Sequence, residues 1–212
     1  MSGSYPIHVE LSGLRLLVVG GGQVAERKVS GLLTAGGAPD LVAPALTPDL
    51  RRWVGEHDLA WAERRYRPGD AEGYRLVFAT TDDPEVNRSV VRDAEAAGAL
   101  VNAANLPGAS SFRVPAVHRA GGIVVSCATH GAAPAFARRV RDRIAGVVTP
   151  GLGRAAERLA GVRGDVRRRW PEDESRRRAF WDELVTDAFL DAATEGRDEE
   201  VESMIERCLS RS

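Results

Sequence analysis

Gly20, Gly22 and Ala25 are the residues of this chain whose types and spacing imply chemistry most directly. They form a Gly-x-Gly-x-x-Ala pattern after the apolar run Leu14-Arg15-Leu16-Leu17-Val18-Val19, and a helix-compatible segment follows from Gln23. This is the dinucleotide fingerprint. Its first glycine permits a tight turn, and its second lets the backbone approach a pyrophosphate. The small third residue lets the helix pack close to the strand. A helix starting there offers unpaired N–H groups and the positive end of its dipole to phosphates. The placement between strand and helix makes the pattern more specific than glycines alone. The competing reading is a glycine turn in an α/β fold that binds no nucleotide.

Sites that choose NAD often place an acid about 20 residues past the first glycine, on the ribose hydroxyls. Asp40 stands at that count, but at the start of the second apolar run rather than its end. The end is Ala43-Pro44-Ala45, with neither acid nor arginine. Asp40 therefore reads as a strand-edge or loop charge, and backbone groups near Pro44 and Ala45 as the ribose contacts. The choice between NAD and NADP stays open on this pattern.

The elements that must position the turn alternate through the first half of the chain. Val24 to Ala35 carries apolar residues at helical spacing and stops at Gly36-Gly37. Leu41-Val42-Ala43 reads as a second strand, ended by Pro44. Thr47-Pro48 opens a helix to about Gly55 as N-cap and N1. Ala60 to Tyr66 reads as a third strand and Arg75 to Ala79 as a fourth. Asp83-Pro84 opens a helix through Ala97, and Leu100-Val101-Asn102 is a fifth strand. Such an order implies a parallel sheet with right-handed crossovers. Near Ser111 the grammar changes. Phe112 to Val117 and Gly122 to Cys127 read as short strands around a turn at His118-Arg119-Ala120-Gly121. Pro134 to Val148 reads as a basic amphipathic helix. From Gly153 onward the pattern is helical, broken near Trp170-Pro171, and reads as a solvated helical bundle without a chemical motif.

The bulk numbers bound the class. At 212 residues, 43% hydrophobic and 28% charged, the chain can bury a core as an ordinary globular protein. A net charge of −1 argues against a general nucleic-acid binder. Cys127 and Cys208 make no metal pattern, so no metal site is expected, and they suit a reducing, cytoplasmic compartment. No apolar run reaches membrane-spanning length, and no signal peptide is expected at the start.

Three segments, taken together, carry a resemblance. They are Gly20-Gly21-Gly22-Gln23-Val24-Ala25-Glu26-Arg27-Lys28, then Phe78-Ala79-Thr80-Thr81-Asp82-Asp83-Pro84-Glu85-Val86-Asn87, then Ser111-Phe112-Arg113-Val114-Pro115. With Gly131 to Arg138, their order and spacing resemble the precorrin-2 dehydrogenase family, which is also the N-terminal module of sirohaem synthases. The resemblance covers roughly residues 5 to 150 well and the C-terminal helices in outline. It implies an α/β fold in three parts: a Rossmann-type parallel sheet over 1–112, a small β-containing dimerisation domain over 113–150, and a helical C-terminal domain over 151–212. It implies NAD as cofactor, a tetrapyrrole substrate, a homodimer, and oxidation of precorrin-2 to sirohydrochlorin. No nucleic-acid or membrane partner is expected. Some members also insert iron, so a bifunctional dehydrogenase and ferrochelatase is one alternative. A nucleotide- and tetrapyrrole-binding protein without turnover is another.

By position, the family's cofactor contacts fall on Gln23 and Val24 and on Pro44 and Ala45, beside the fingerprint glycines Gly20 and Gly22. Thr80, Thr81 and Asp82 would line the same cleft, where open α/β sheets take ligands. Relatives usually carry an acid/base aspartate where this chain has Asn105, in Asn102-Ala103-Ala104-Asn105. An amide cannot take a proton at neutral pH but can donate and accept hydrogen bonds. Relatives often have two glycines after the Ser/Thr equivalent to Thr129, whereas His130 stands here. Histidine suits proton transfer near neutrality, so His130 is a candidate catalytic group beside Asn105, against the alternative of a surface histidine. The implied substrate bears eight carboxylates, and Arg113, Arg119, Arg138, Arg139, Arg141 and Arg143 cluster against Asp142 alone. Arg113, Thr129 and Arg138 abut the matched motifs and are the candidate substrate contacts. His118 reads as an exposed turn residue.

Overall fold

Leu16-Leu17-Val18-Val19 is buried at every position, as expected of a strand covered on both faces. In the computed structural model, which describes residues 4–211, this run is β1 (Leu16–Val19). It leads through the glycine turn into α1 (Gln23–Thr34), then β2 (Pro39–Val42), α2 (Pro48–Glu56), β3 (Trp61–Ala62) and β4 (Leu76–Ala79). α3 (Pro84–Ala96), β5 (Leu100–Ala103) and a short 3-10 turn at Pro107–Ala109 follow. The five strands are parallel in the order β3-β2-β1-β4-β5.

Alternation along the strands divides the core between the faces. Leu17, Val19, Val77, Ala79, Val101 and Ala103 pack with Val90, Val91 and Ala94 of α3. Leu16, Val18, Leu41, Leu76 and Phe78 pack with Ala25, Val29 and Leu32 of α1 and Leu50 of α2. Val19 is level with both Val42 and Ala79, and Ala79 with Ala103, so the strands end along one rim.

The chain divides into two compact units between Arg113 and Val114. The second contains an antiparallel hairpin, β6 (Ala116–Ala120) with β7 (Ile123–Cys127), and five helices. These are α4 (Pro134–Ala145), α5 (Pro150–Arg169), α6 (Glu174–Leu184), α7 (Asp187–Thr194) and α8 (Asp198–Arg211). The last four helices have their own core, with Phe180, Leu184, Phe189 and Ile205 nearly inaccessible.

The structure corrects several expectations. The third strand covers Trp61–Ala62 rather than Ala60 to Tyr66. Beyond it, Arg64 N–H turns back to the Ala62 carbonyl and its guanidinium grips Asp70, which carries the chain off the sheet edge. The hairpin turn lies at Gly121-Gly122, where Gly121 takes φ +49°, so His118 is a strand residue. His118 is half-buried, and its Nε2 lies 2.8 Å from the Val148 carbonyl. The helix expected to reach Val148 ends at Ala145, and the next begins at Pro150 with Thr149 as its cap.

Candidate functional site

The order β3-β2-β1-β4-β5 reverses direction between β1 and β4, which makes their C-terminal ends a topological switch point. Gly20 follows β1 there and Thr80 follows β4. Gly20 has φ +122°, and a Cβ on it would stand 2.7 Å from Thr80 Oγ1. Thr80 is buried, and its hydroxyl and N–H both donate to the Val19 carbonyl at 2.8 Å. Its side chain therefore forms the floor beneath the turn. At Gly21 a Cβ would lie 1.9 Å from the Ala45 carbonyl oxygen, so the turn and the β2–α2 loop touch through backbone.

Gly22 differs from its neighbours. A Cβ there would meet nothing within 4 Å. It is also the N-cap of α1, and no side chain caps that helix, whereas Thr47 caps α2 and Asp83 caps α3. The first N–H groups of α1 have no partner within the helix, and the space before them is open. This combination fits a diphosphate, which would accept from those groups. Gln23 is exposed and Val24 half-buried on the first turn, and Pro44 and Ala45 are exposed past β2. The structure thus gathers Gly20, Gly22, Gln23, Val24, Pro44, Ala45 and Thr80 to Asp82 on one rim.

Asp40 is part of β2, level with Leu17, rather than a loop charge. It accepts from Tyr74 Oη at 2.6 Å and pairs with Arg15 at 3.5 Å. Burial first, and then that bond to Asp40, push the Tyr74 phenol up to about 12. This local network occupies Asp40. Half-buried Lys28 lies 5.6 Å from the Phe78 ring centroid, and burial, then the neighbouring Arg27, hold its ammonium below the ordinary lysine range.

Past β4, Thr81 is half-buried, Asp82 is exposed, and Asn105 follows β5 with its side chain exposed. Asn87, which no sequence motif singles out, is fully buried and binds both Thr81 and Asn105. Its signal was an asparagine inside a helix, where an unsatisfied amide is disfavoured. Arg113 is exposed at the end of the first unit. In the second, Thr129 Oγ1 accepts from Ala133 N–H at 3.1 Å, ahead of α4. His130 is exposed with φ +50°, and Arg138 is exposed on α4. Arg141, one of the clustered arginines, is committed to Asp142 and the Val117 carbonyl. Among the described residues no group of three His, Cys, Asp or Glu side chains could hold a metal, and no helix is long and apolar enough to cross a membrane.

Comparison with known proteins gives two family matches. A family model described as "Putative NAD(P)-binding" matches residues 7–116. A second, described as the sirohaem synthase dimerisation region, matches residues 151–209. The siroheme synthase of Chromobacterium violaceum is 37% identical over 206 residues, 97% of this chain and 44% of that protein. Those of Methylobacillus flagellatus and Gluconobacter oxydans are 34% and 36% identical, over 97% and 98% of this chain and 44% of each relative. The chain thus spans less than half the length of these relatives. A solved structure, "SirC, precorrin-2 dehydrogenase", has the same fold, with a TM-score of 0.75 at 24% identity. It covers 96% of this chain and 100% of its own.

Proposed function

We propose a function on one premise: this chain belongs to the NAD(P)-binding family whose model spans residues 7–116, joined here to a sirohaem synthase dimerisation region. On that premise the protein is an NAD-dependent precorrin-2 dehydrogenase of sirohaem biosynthesis. The observation that carries this reading is the uncapped start of α1, with open space over Gly22, in a chain bearing both matches. NAD accepts the hydride when bound. Precorrin-2 loses two electrons and two protons, giving sirohydrochlorin, NADH and one proton.

The chain's residues divide the remaining work. Backbone N–H groups from Gly22 to Val24 bind the diphosphate, and backbone at Pro44 and Ala45 binds the ribose. Thr81 and Asp82 border the reacting end. Arg113, Arg138 and Thr129 offer donors to substrate carboxylates. His130 takes the proton released by the macrocycle, and Asn105 orients the ligand. The dehydrogenase acts in the cytoplasm as a homodimer. We assign residues 1–112 to dinucleotide binding, 113–150 to dimerisation and 151–212 to the helical domain. The assignment of 113–150 to dimerisation and the family description of 151–209 together make the second unit a candidate dimer surface.

The test is an anaerobic assay of precorrin-2 with NAD, following NADH and sirohydrochlorin absorbance. Parallel reactions contain sirohydrochlorin with ferrous or cobalt ion. Oxidation without metal insertion is expected. NAD binding without any oxidation would overturn the enzymatic reading.

A further inference from the structure

Asn87 sits one turn into α3 and is 0% exposed. Its Oδ1 accepts from Thr81 N–H at 3.2 Å and from Thr81 Oγ1 at 2.8 Å. Its Nδ2 donates to the Thr81 carbonyl and to Asn105 Oδ1, both at 2.8 Å. A side-chain amide has two donor hydrogens, and both Nδ2 hydrogens of Asn87 are used; the one Thr81 hydroxyl hydrogen is shared between Asn87 Oδ1 and the Asp83 carbonyl at 3.0 Å.

The polarity of this network follows from its backbone members. Thr81 N–H can only donate, and the Thr81 carbonyl can only accept. Turning the Asn87 amide over would set like against like at both. Its second Nδ2 hydrogen therefore faces Asn105, and Asn105 answers with oxygen. Asn105 is an exposed residue, and its Nδ2 group has no hydrogen-bond partner among the described residues. It stands just past Ala104, whose N–H binds the Ala79 carbonyl, on the rim that carries Gly20 and Thr80.

We propose that Asn87 is a positioning residue that holds Asn105 as a hydrogen-bond donor for a carboxylate or carboxamide oxygen of the bound ligand. The inference rests on the dinucleotide-dependent dehydrogenase reading and deepens it. Position 105 recognises an acceptor and moves no proton. The oxygen belongs either to the nicotinamide carboxamide of NAD or to a carboxylate of the tetrapyrrole.

The experiment measures affinities of the full chain for ADP-ribose, NAD and sirohydrochlorin. ADP-ribose reports the glycine turn and folding, NAD adds the nicotinamide, and sirohydrochlorin supplies the carboxylates. Wild type is compared with Asn105→Ala, Asn87→Asp and the double variant. The carboxylate introduced by Asn87→Asp would still accept from Thr81 but could donate to nothing, so Asn105 would turn its amide round and present oxygen. Asn87→Asp is expected to weaken NAD or sirohydrochlorin binding by about tenfold or more, beyond the loss in Asn105→Ala, with ADP-ribose affinity unchanged. In the Asn105→Ala background, Asn87→Asp should add nothing. Equal losses in both backgrounds, or no loss in Asn105→Ala, would overturn the proposal. Should Asn87→Asp fail to fold, Asn105→Asp replaces it, because it keeps the bond from Asn87 and presents an acceptor. A loss no larger than that of Asn105→Ala would then refute the assigned polarity. The arm that weakens identifies the source of the oxygen. If wild type binds no sirohydrochlorin and oxidises no precorrin-2, the dehydrogenase reading fails and the NAD arm alone decides the role of Asn105.

Discussion

Glu26 on α1 accepts a 2.7 Å hydrogen bond from Thr47 Oγ1, the hydroxyl that also caps α2 by accepting from Leu50 N–H at 3.3 Å. The Thr47 N–H donates in turn to the Gly21 carbonyl at 2.9 Å. One threonine thus ties the helix behind the glycine turn to the loop proposed for the ribose. Thr47→Val keeps the shape but removes both side-chain bonds and leaves the Glu26 carboxylate without this donor. Loss of the cap alone costs about 1 kcal/mol. The variant should unfold at lower urea and bind NAD several-fold more weakly, while Thr47→Ser retains both properties. NAD affinity unchanged in Thr47→Val would show that the tie does not shape the site.

Gly21 and Gly22 are adjacent, yet alanine should act on them in opposite ways. At Gly21 the new methyl would collide with the Ala45 carbonyl at 1.9 Å, so the loops must separate. Gly21→Ala is expected to destabilise the first unit by several kcal/mol, in the range of overpacking and backbone strain. At Gly22 the methyl would enter open space. Gly22→Ala should melt like wild type and lose NAD affinity by at least about tenfold, the loss expected for a contact worth about 1.4 kcal/mol. Calorimetry and thermal melting on both variants separate the effects. Tight NAD binding by Gly22→Ala would place the diphosphate elsewhere.

What could be read from the sequence was what depends on near neighbours. Thr47-Pro48 and Asp83-Pro84 cap their helices as expected because a cap needs only the next three residues. The glycine turn was legible for the same reason. Asp40 could be set aside as a ribose ligand from its place in the strand, but Tyr74, its partner, lies 34 positions away. The bond from Asn87 to Asn105 is not legible in the sequence, because the two meet only once β4 and β5 are paired. The hairpin turn lies past its expected place because strand pairing continues through His118 and Arg119, and the left-handed Gly121 decides the turn.

Asp70 gives the fold a measurable acid dependence. The hydrogen bond from Arg64 holds its carboxyl below the usual carboxylate range, against the opposing effect of burial. Because the folded value is depressed, the stabilisation is complete above the unfolded value, about 3.9. It is lost as pH falls through the folded value. Asp70→Asn should therefore lower stability measurably at pH 7, by the modest amount expected of a partly solvated pair. The difference should shrink progressively below about pH 4. Urea titrations across that range check the sign. A difference that grew on acidification would contradict it.

His130 carries a conformational cost that allows its chemistry to be isolated. It lies at φ +50° and Gly131 follows at φ +84°, so two successive residues occupy the left-handed region. An L-residue there costs about 1–2 kcal/mol relative to the right-handed region, and glycine pays little. His130→Gly relieves this backbone cost, against the entropy of the more flexible residue, and thermal melting measures the net effect of the change on folding. If the imidazole takes the substrate proton, kcat for precorrin-2 oxidation should fall by about 100-fold or more. Affinity for sirohydrochlorin should stay within about twofold, since a proton acceptor acts chiefly in the transition state. Added imidazole should then restore part of the rate in His130→Gly, because the space it vacates admits the same base. A variant that folds, binds and turns over like wild type would leave His130 a turn residue, and the proton would have to leave by another route.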